Sequence, residues 1–518
     1  MRRTKISPLR HLFNDTVMRL VEGLADPARR RRTALVFALG YGALWFVYGV
    51  IAKSSQDLNA DMAEMVVWTR EPALGYSKHP PLLAWILWVW FKVFPLADWA
   101  YILLAVATVA VGIYLAIELA AEWLTGEKLA AVPFLLAVIP FYNFLGLKFD
   151  QNSILIPLWA LAMWAMLRAL DTRHDGWAVL AGLAAAAAML SKYWSVFLIA
   201  ALALTALFHA KRAGYFRSRA PWVTALVFLV AIGPHVWWLI RENFPPITWV
   251  TWRRVSTSFP EVLQSLFECL AGTAGYAAIA IALVLVLARP SPRALADGFF
   301  PRDERRNAAI LFWVPILLPT VPALIKNINL ISLWNTPALN LLPVMLLGSA
   351  LVTLPRVAVA RIAGVALVFT LVSVALSPVV AFVILKQGVE NNAAYARLVM
   401  EAADREWHAT QATGGKPLKL IAGPFVLVSS ASFYGADKPS TLAEFSPYLS
   451  PWADTARILR EGMAIMCEAG DPNCLKAIEI FSAISPGGRR TEVTLTRRWL
   501  GFENAPKRFM IATIPPRQ

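Results

Sequence analysis

Residues 76–95 read Tyr76-SKHPPLLAWILWVWFKVF-Pro95, and whether this stretch crosses a bilayer decides the fold. Its apolar part, Leu82–Phe94, is bracketed by His79-Pro80-Pro81 and Pro95 and carries Lys92. As a helix it would reach roughly 20 Å, short of a hydrocarbon core about 30 Å thick. An interfacial or re-entrant helix fits it better than a span.

Outward from this stretch the chain is dominated by longer apolar segments. Of its 518 residues, 58% are hydrophobic and 16% charged, and the mean hydropathy is +0.55. Soluble domains are nearer half apolar and a quarter charged. The apolar excess falls in segments long enough to cross a membrane: Ala34–Ile51, Trp99–Leu124, Leu129–Leu147, Ile154–Leu170, Trp177–Leu190, Trp194–Phe208, Trp222–Ile240, Val262–Leu287, Ala308–Ile325, Pro337–Leu354 and Ile362–Ile384. The expected fold is therefore a polytopic α-helical membrane protein of about eleven transmembrane helices.

Loop charge tests the reading of Leu82–Phe94. If it does not cross and the N-terminus is cytoplasmic, the inside segments hold 23 Lys and Arg and the outside loops 9. If it crosses, every later loop changes side, placing 14 of the later basic residues outside against 6 inside. Cytoplasmic loops carry the excess of Lys and Arg, so eleven spans are preferred. The chain then divides into a basic, irregular N-terminal segment (1–33) without a cleavable signal sequence, a membrane module (34–386) whose first outer loop is 53–80, and a C-terminal domain (387–518). That domain shows strand-like pieces at Leu418–Val428, Thr491–Thr496 and Arg508–Ile514. An odd span count puts it outside, in the periplasm of a bacterial inner-membrane protein.

The net charge of +16 would suggest nucleic acid on a soluble protein. Here the basic residues sit in loops between apolar spans, where orientation in the membrane explains them, and no zinc-finger spacing or basic recognition helix is present. Cys269 lies in an apolar stretch and reads as an inert core thiol. Cys467 and Cys474 flank the turn residues Gly470-Asp471-Pro472-Asn473, and in an oxidising compartment that spacing suits a disulfide.

The outer loops hold the chemistry. Asp61 and Glu64 are three apart and share a helix face. Such a pair can serve as general base, metal ligand or substrate clamp, although a solvated loop helix has the same spacing. Tyr76, Lys78 and His79 precede two prolines that start a new helix, and a cation there suits a lipid phosphate. Asp150, with Lys148 and Asn152, lies between two spans, where a carboxylate faces a cavity or simply caps a loop. Lys192, in Ser191-Lys192-Tyr193, follows a span of about 21 Å and sits near headgroup level, to hold a phosphate or to snorkel. Arg241, Arg253 and Arg254 accompany Trp249 and Trp252, a combination suited to a pyranose and a phosphate and equally to an interfacial aromatic belt.

The stretch from Asp61 through Trp68 to Gly75-YSKHPPLLAW resembles the first outer loop of GT-C superfamily glycosyltransferases, in the branch holding the 4-amino-4-deoxy-L-arabinose lipid A transferase and the protein O-mannosyltransferases. The run Lys78-His79-Pro80-Pro81-Leu82 is its most specific part, and the likeness covers roughly residues 34–350. Many members carry Asp-Glu at the first acidic site, where this chain has Asp61-Met62 with Glu64 one turn on. The resemblance implies an inverting transferase that takes a sugar from an undecaprenyl-type phosphate carrier, at the outer face of the membrane. It implies Asp61 as base, with Asp150 and Glu64 as further acidic site residues; Lys78, His79, Lys192 and Arg241 on the donor phosphate; and Tyr76, Tyr193 and Trp249 at the sugar or acceptor. It implies a small α/β periplasmic C-terminal domain. No organic cofactor is expected and a divalent metal stays open. The expected acceptor is a glycolipid such as lipid A or lipopolysaccharide core, with protein O-glycosylation as the alternative. A transporter or flippase is a different class, but the chain shows no paired halves and its notable charges lie in outer loops rather than at mid-membrane.

Overall fold

The structure, a computed structural model, describes residues 8–256, 258–387 and 395–517. The start of the N-terminal segment and the junction 388–394 lie outside the described residues. The chain forms two compact units.

The first unit comprises Met1–Phe46, Lys78–Leu82 and Leu103–Val374. Across the described chain, seven helices are long and apolar enough to cross a membrane: Arg30–Ala52, Asp98–Ala120, Leu155–Thr172, Ala220–Arg241, Phe259–Leu287, Arg306–Lys326 and Arg356–Gln387. Two expected spans, Trp177–Leu190 and Trp194–Phe208, are the shorter apolar helices Asp175–Ser191 and Tyr193–Phe208. The segment read as Leu129–Leu147 is a pair, Gly126–Ala137 and Pro140–Leu147, bent by 80°; Pro140 cannot donate to a continuing helix. The segment read as Pro337–Leu354 is not one helix. It is a 3-10 stretch, Ser332–Leu341, followed by a short α-helix, Leu342–Leu347, because Pro337 and Pro343 interrupt the hydrogen-bond ladder. The N-terminal segment expected to be irregular contains a helix, Pro8–Ala25. Val17, Val21 and Leu24 are buried along one face of it, the i, i+4, i+7 spacing of an amphipathic helix.

The second unit comprises Val47–Ser77, Leu83–Ile102 and Ala375–Gln518, so the loop after the first long helix packs with the C-terminal region. Seven strands form there: β1 (Leu420–Gly423), β2 (Ser440–Ala443), β3 (Met463–Glu468), β4 (Arg490–Leu495), β5 (Arg498–Trp499), β6 (Phe502–Glu503) and β7 (Lys507–Ile514). The main sheet has the order β2-β1-β3-β7-β4, and β5 pairs with β6 alone. β1 runs parallel to β2 and β3, while β7 is antiparallel to both β3 and β4. Side chains alternate across β3. Met463, Ile465 and Cys467 join the core beneath helix Pro472–Ile484, and Ala464 and Met466 join the core beneath helices Ala396–Ala409 and Phe425–Tyr434. The stretch read as one strand, Leu418–Val428, is β1 followed by helix Phe425–Tyr434. The break falls at Gly423, whose φ is +149° and where a Cβ would strike the Met466 carbonyl. Cys467, on β3, forms a disulfide with Cys474 in the first turn of helix Pro472–Ile484.

The contacts of this unit settle the path of Leu82–Val93. Before the helix, the Ser77 carbonyl accepts from the Tyr448 hydroxyl at 3.4 Å. After it, Asp98 accepts from the Tyr434 hydroxyl at 2.7 Å and pairs with Arg397 at 2.6 Å. Both ends lie against the same polar C-terminal region, which cannot occupy both sides of a bilayer, so the helix does not cross. The first and last long helices also end on one side, since Ser54 bonds Trp499 and Lys386 bonds the Glu503 carbonyl.

Candidate active site

In the second unit, Asn59 caps helix Ala60–Arg70 by accepting from the Asp61 N–H at 3.0 Å. Met62, Met65, Val66 and Trp68 are buried, whereas Asp61 is exposed and Glu64 half-buried. The buried face fixes the helix, and the two carboxylates share the more open one. Tyr76 is buried, stacked on Trp68 at 4.5 Å, and its hydroxyl donates to the Trp68 carbonyl at 2.9 Å. That satisfied position makes Tyr76 a brace of the loop.

The loop is held by charges that the sequence reading did not single out. Asp57, whose side chain is fully buried, pairs with Arg497 and accepts from the Arg397 N–H at 3.1 Å. The Arg397 guanidinium covers the Tyr434 ring at 4.3 Å, and the Tyr434 hydroxyl accepts from the Leu58 N–H at 2.7 Å. Glu71 accepts from Arg457 at 2.7 Å, and Arg70 donates to the Ser432 hydroxyl at 2.5 Å and also reaches the Pro439 carbonyl. Their partners lie hundreds of residues away, and no local signal in the sequence connects them.

The first unit holds a cation cluster built on two aromatic rings. Lys192, the C-cap of helix Asp175–Ser191, lies in the link to the next apolar helix. Its ammonium donates to Asn152 Oδ1 at 2.5 Å and stands over the Trp334 ring at 5.0 Å. The Arg254 guanidinium lies 5.6 Å from the centre of the same ring. Trp194 packs against Trp334 at 4.8 Å and fixes it. Arg254 ends the amphipathic helix Pro245–Arg254, and its backbone is pinned because its carbonyl accepts from the Asn329 N–H at 2.9 Å. Lys78 lies 5.0 Å and Arg253 5.2 Å from the centre of the Trp249 ring. His79 is half-buried beside Lys78 in the sequence.

Asp150 is a carboxylate whose charge acts on Lys192. It is buried, accepts from the N–H groups of Asn152 at 2.8 Å and Ser153 at 3.0 Å, and pairs with Lys148 at 3.6 Å. It therefore shapes the turn that presents Asn152 to Lys192. Burial brings the Lys192 ammonium down from its ordinary 10.5 to about 7; Asp150 opposes this shift, and Arg254 and Lys148 add to it. Burial and Arg253 likewise lower Arg254. Positive groups crowded together at this cost suit an anion.

Arg241, expected on the phosphate, is exposed; it pairs with Glu242 at 3.7 Å and covers Trp237. Arg254 is the arginine beside Lys192. The Tyr193 hydroxyl bonds His235 Nε2 at 3.0 Å, and His235 stacks on Trp238. Among the described residues no three His, Cys, Asp or Glu side chains group as a metal site.

The family model described as dolichyl-phosphate-mannose-protein mannosyltransferase matches residues 78–238, starting at Lys78. No curated protein sequence matches the chain. Among solved structures, ArnT from Cupriavidus metallidurans bound to undecaprenyl phosphate is similar with a TM-score of 0.57 and 14% identity, covering 92% of this chain and 98% of that one. The same protein in the apo state gives 0.57 and 13% identity, covering 92% and 97%. The archaeal oligosaccharyltransferase AglB from Archaeoglobus fulgidus, in complex with an inhibitory peptide and a dolichol-phosphate, gives 0.35 and 10% identity, covering 83% and 69%, too distant to bear on the fold. The likeness to ArnT extends over nearly all of both chains, and this protein is a multi-pass membrane protein with the GT-C fold, its helical membrane unit accompanied by a small sheet-containing C-terminal region.

Proposed function

We propose that this protein is an inverting glycosyltransferase that takes a sugar from an undecaprenyl-type phosphate and transfers it to lipid A or the lipopolysaccharide core at the periplasmic face of the inner membrane. The observation that carries the reading is the cation cluster of Lys192 and Arg254 on Trp334, within the fold of a protein crystallised with undecaprenyl phosphate. The loop charges, with the N-terminus cytoplasmic, support the periplasmic side.

In the reaction the bond between the sugar C1 and the phosphate oxygen breaks, and the phosphate leaves with the electron pair. Lys192, Arg254 and Lys78 stabilise that growing charge. The acceptor oxygen attacks C1 from the opposite face, which inverts it and releases the acceptor proton; the resemblance of the Asp61 loop to GT-C transferases is what supports Asp61 as the base that receives it. Glu64 assists on the same helix face, and Trp249 offers a ring for the sugar.

A second reading, protein O-mannosyl transfer, is favoured by the family model over residues 78–238. Masses of lipid A and of envelope glycoproteins from a deletion strain separate the two acceptors. In membranes supplied with donor, Asp61→Asn is expected to lower turnover by about 10²- to 10⁴-fold with donor binding unchanged. Full activity would remove Asp61 as base.

A further inference from the structure

Strands β5 and β6 form a hairpin, with Arg498 opposite Glu503 and Trp499 opposite Phe502. Its two turn residues, Leu500 and Gly501, both have positive φ, +47° and +84°. That turn favours Asn, Asp or Gly at its first position, and a leucine there is strained. Leu500 is 78% exposed and Phe502 48% exposed, so burial within the protein does not offset the strain.

The hairpin is tied to the ends of two membrane helices. The Trp499 indole donates to the Ser54 hydroxyl at 2.7 Å, two residues beyond Arg30–Ala52. Phe502 meets Phe382 edge-on at 4.9 Å, and the Lys386 ammonium donates to the Glu503 carbonyl at 2.8 Å, both within helix Arg356–Gln387. Val379 and Val383, on the last turns of that helix, are exposed apolar residues. The tip therefore stands at the level where two spans leave the hydrocarbon. Its charged neighbours suit that level. Arg498 is exposed and pairs with Glu503 at 2.7 Å, while Arg497 turns inward to Asp57. Lys386 and Arg498 can reach lipid phosphates, as basic residues at span ends do.

We propose that hairpin 498–503 inserts Leu500 and Phe502 into the outer leaflet, so that the C-terminal region is anchored to the lipid surface by a second attachment besides the last span. The strained leucine is kept because its side chain is buried in lipid rather than in protein. The occupant is the bilayer interface.

The test uses the full chain in lipid nanodiscs with Leu500→Cys carrying an environment-sensitive fluorophore. Cys269 is buried and the other two cysteines are disulfide-bonded, so the new thiol labels selectively. Glu492→Cys, on the exposed edge of β4, is the reference site. At position 500 the expected result is blue-shifted emission, quenching by lipids brominated near the headgroup, and several-fold less quenching by aqueous iodide than at position 492. Equal iodide quenching at both sites would overturn the proposal. Protection from iodide without quenching by brominated lipid would also overturn it, because the tip would then be covered by protein or by a second copy.

Discussion

On the proposed function, Lys192 makes donor binding depend on pH in a calculable way. Its ammonium is brought down to about 7, first by burial and then by Arg254 and Lys148. The phosphate of a sugar-phosphate-polyprenol is a diester and keeps one negative charge from pH 6 to 9, so a titration in that window belongs to the protein. The anion prefers the ammonium form. Below pH 7 that form is already present and affinity is flat. Above pH 7 binding must first protonate Lys192, and affinity falls tenfold per pH unit, about 1.4 kcal/mol each, until the pKa of the complex is passed. About half of Lys192 is charged at pH 7 and about 1% at pH 9, so Kd should weaken roughly 50-fold between them. Lys192→Arg keeps its charge throughout and should flatten the profile. Lys192→Met should bind weakly at every pH, also without slope. The assay is equilibrium binding of a labelled donor in nanodiscs. A flat wild-type profile, or an Arg variant with the wild-type slope, would refute the reasoning.

Arg254→Ala should weaken donor binding by about 10- to 100-fold, the range for one charge-assisted hydrogen bond, while Arg241→Ala should leave it within twofold because Arg241 is exposed and already paired; binding isotherms compare the two. Asp57→Ala leaves Arg497 without its buried carboxylate and should cost about 3–5 kcal/mol in the second unit, whereas Asp57→Leu with Arg497→Met should recover most of it; thermal unfolding and protease resistance of the C-terminal region report both. Gly423→Ala places a methyl against the Met466 carbonyl at a φ that disfavours side chains, and should lower the unfolding midpoint of the same region by several degrees.

The sequence revealed most where one local pattern decides the outcome. Long apolar runs became helices, and Leu82–Phe94 was short enough, and flanked by enough proline, to be read as a helix that does not cross. Pro337–Leu354 looked alike by hydropathy, but its prolines fall inside the run, and hydropathy does not register lost N–H donors. In the C-terminal region β1 is buried on both faces, so β1 and helix Phe425–Tyr434 read as one apolar stretch without alternation. The types of the candidate residues could be read from the sequence, and their pairings could not. Arg241 and Arg254 both sit in a basic, Trp-rich loop, and only the three-dimensional path puts Arg254 on Trp334. Asp57 and Asp98 gave no signal, since their partners are 440 and 299 residues away.

That last separation sets a clock on biosynthesis. Asp57 emerges early, yet the guanidinium that neutralises it is made 440 residues later. At about 5–20 residues per second this interval lasts roughly 20–90 s. Throughout it the loop after the first long helix carries a carboxylate still without Arg497, so Asp61 and its helix wait in an unfinished loop. The loop closes only when the final strands arrive. A chain that stops short of Arg497, through a nonsense codon or proteolysis, would keep its membrane helices and lack a formed first loop, so the proposed activity would be confined to chains that extend past Arg497.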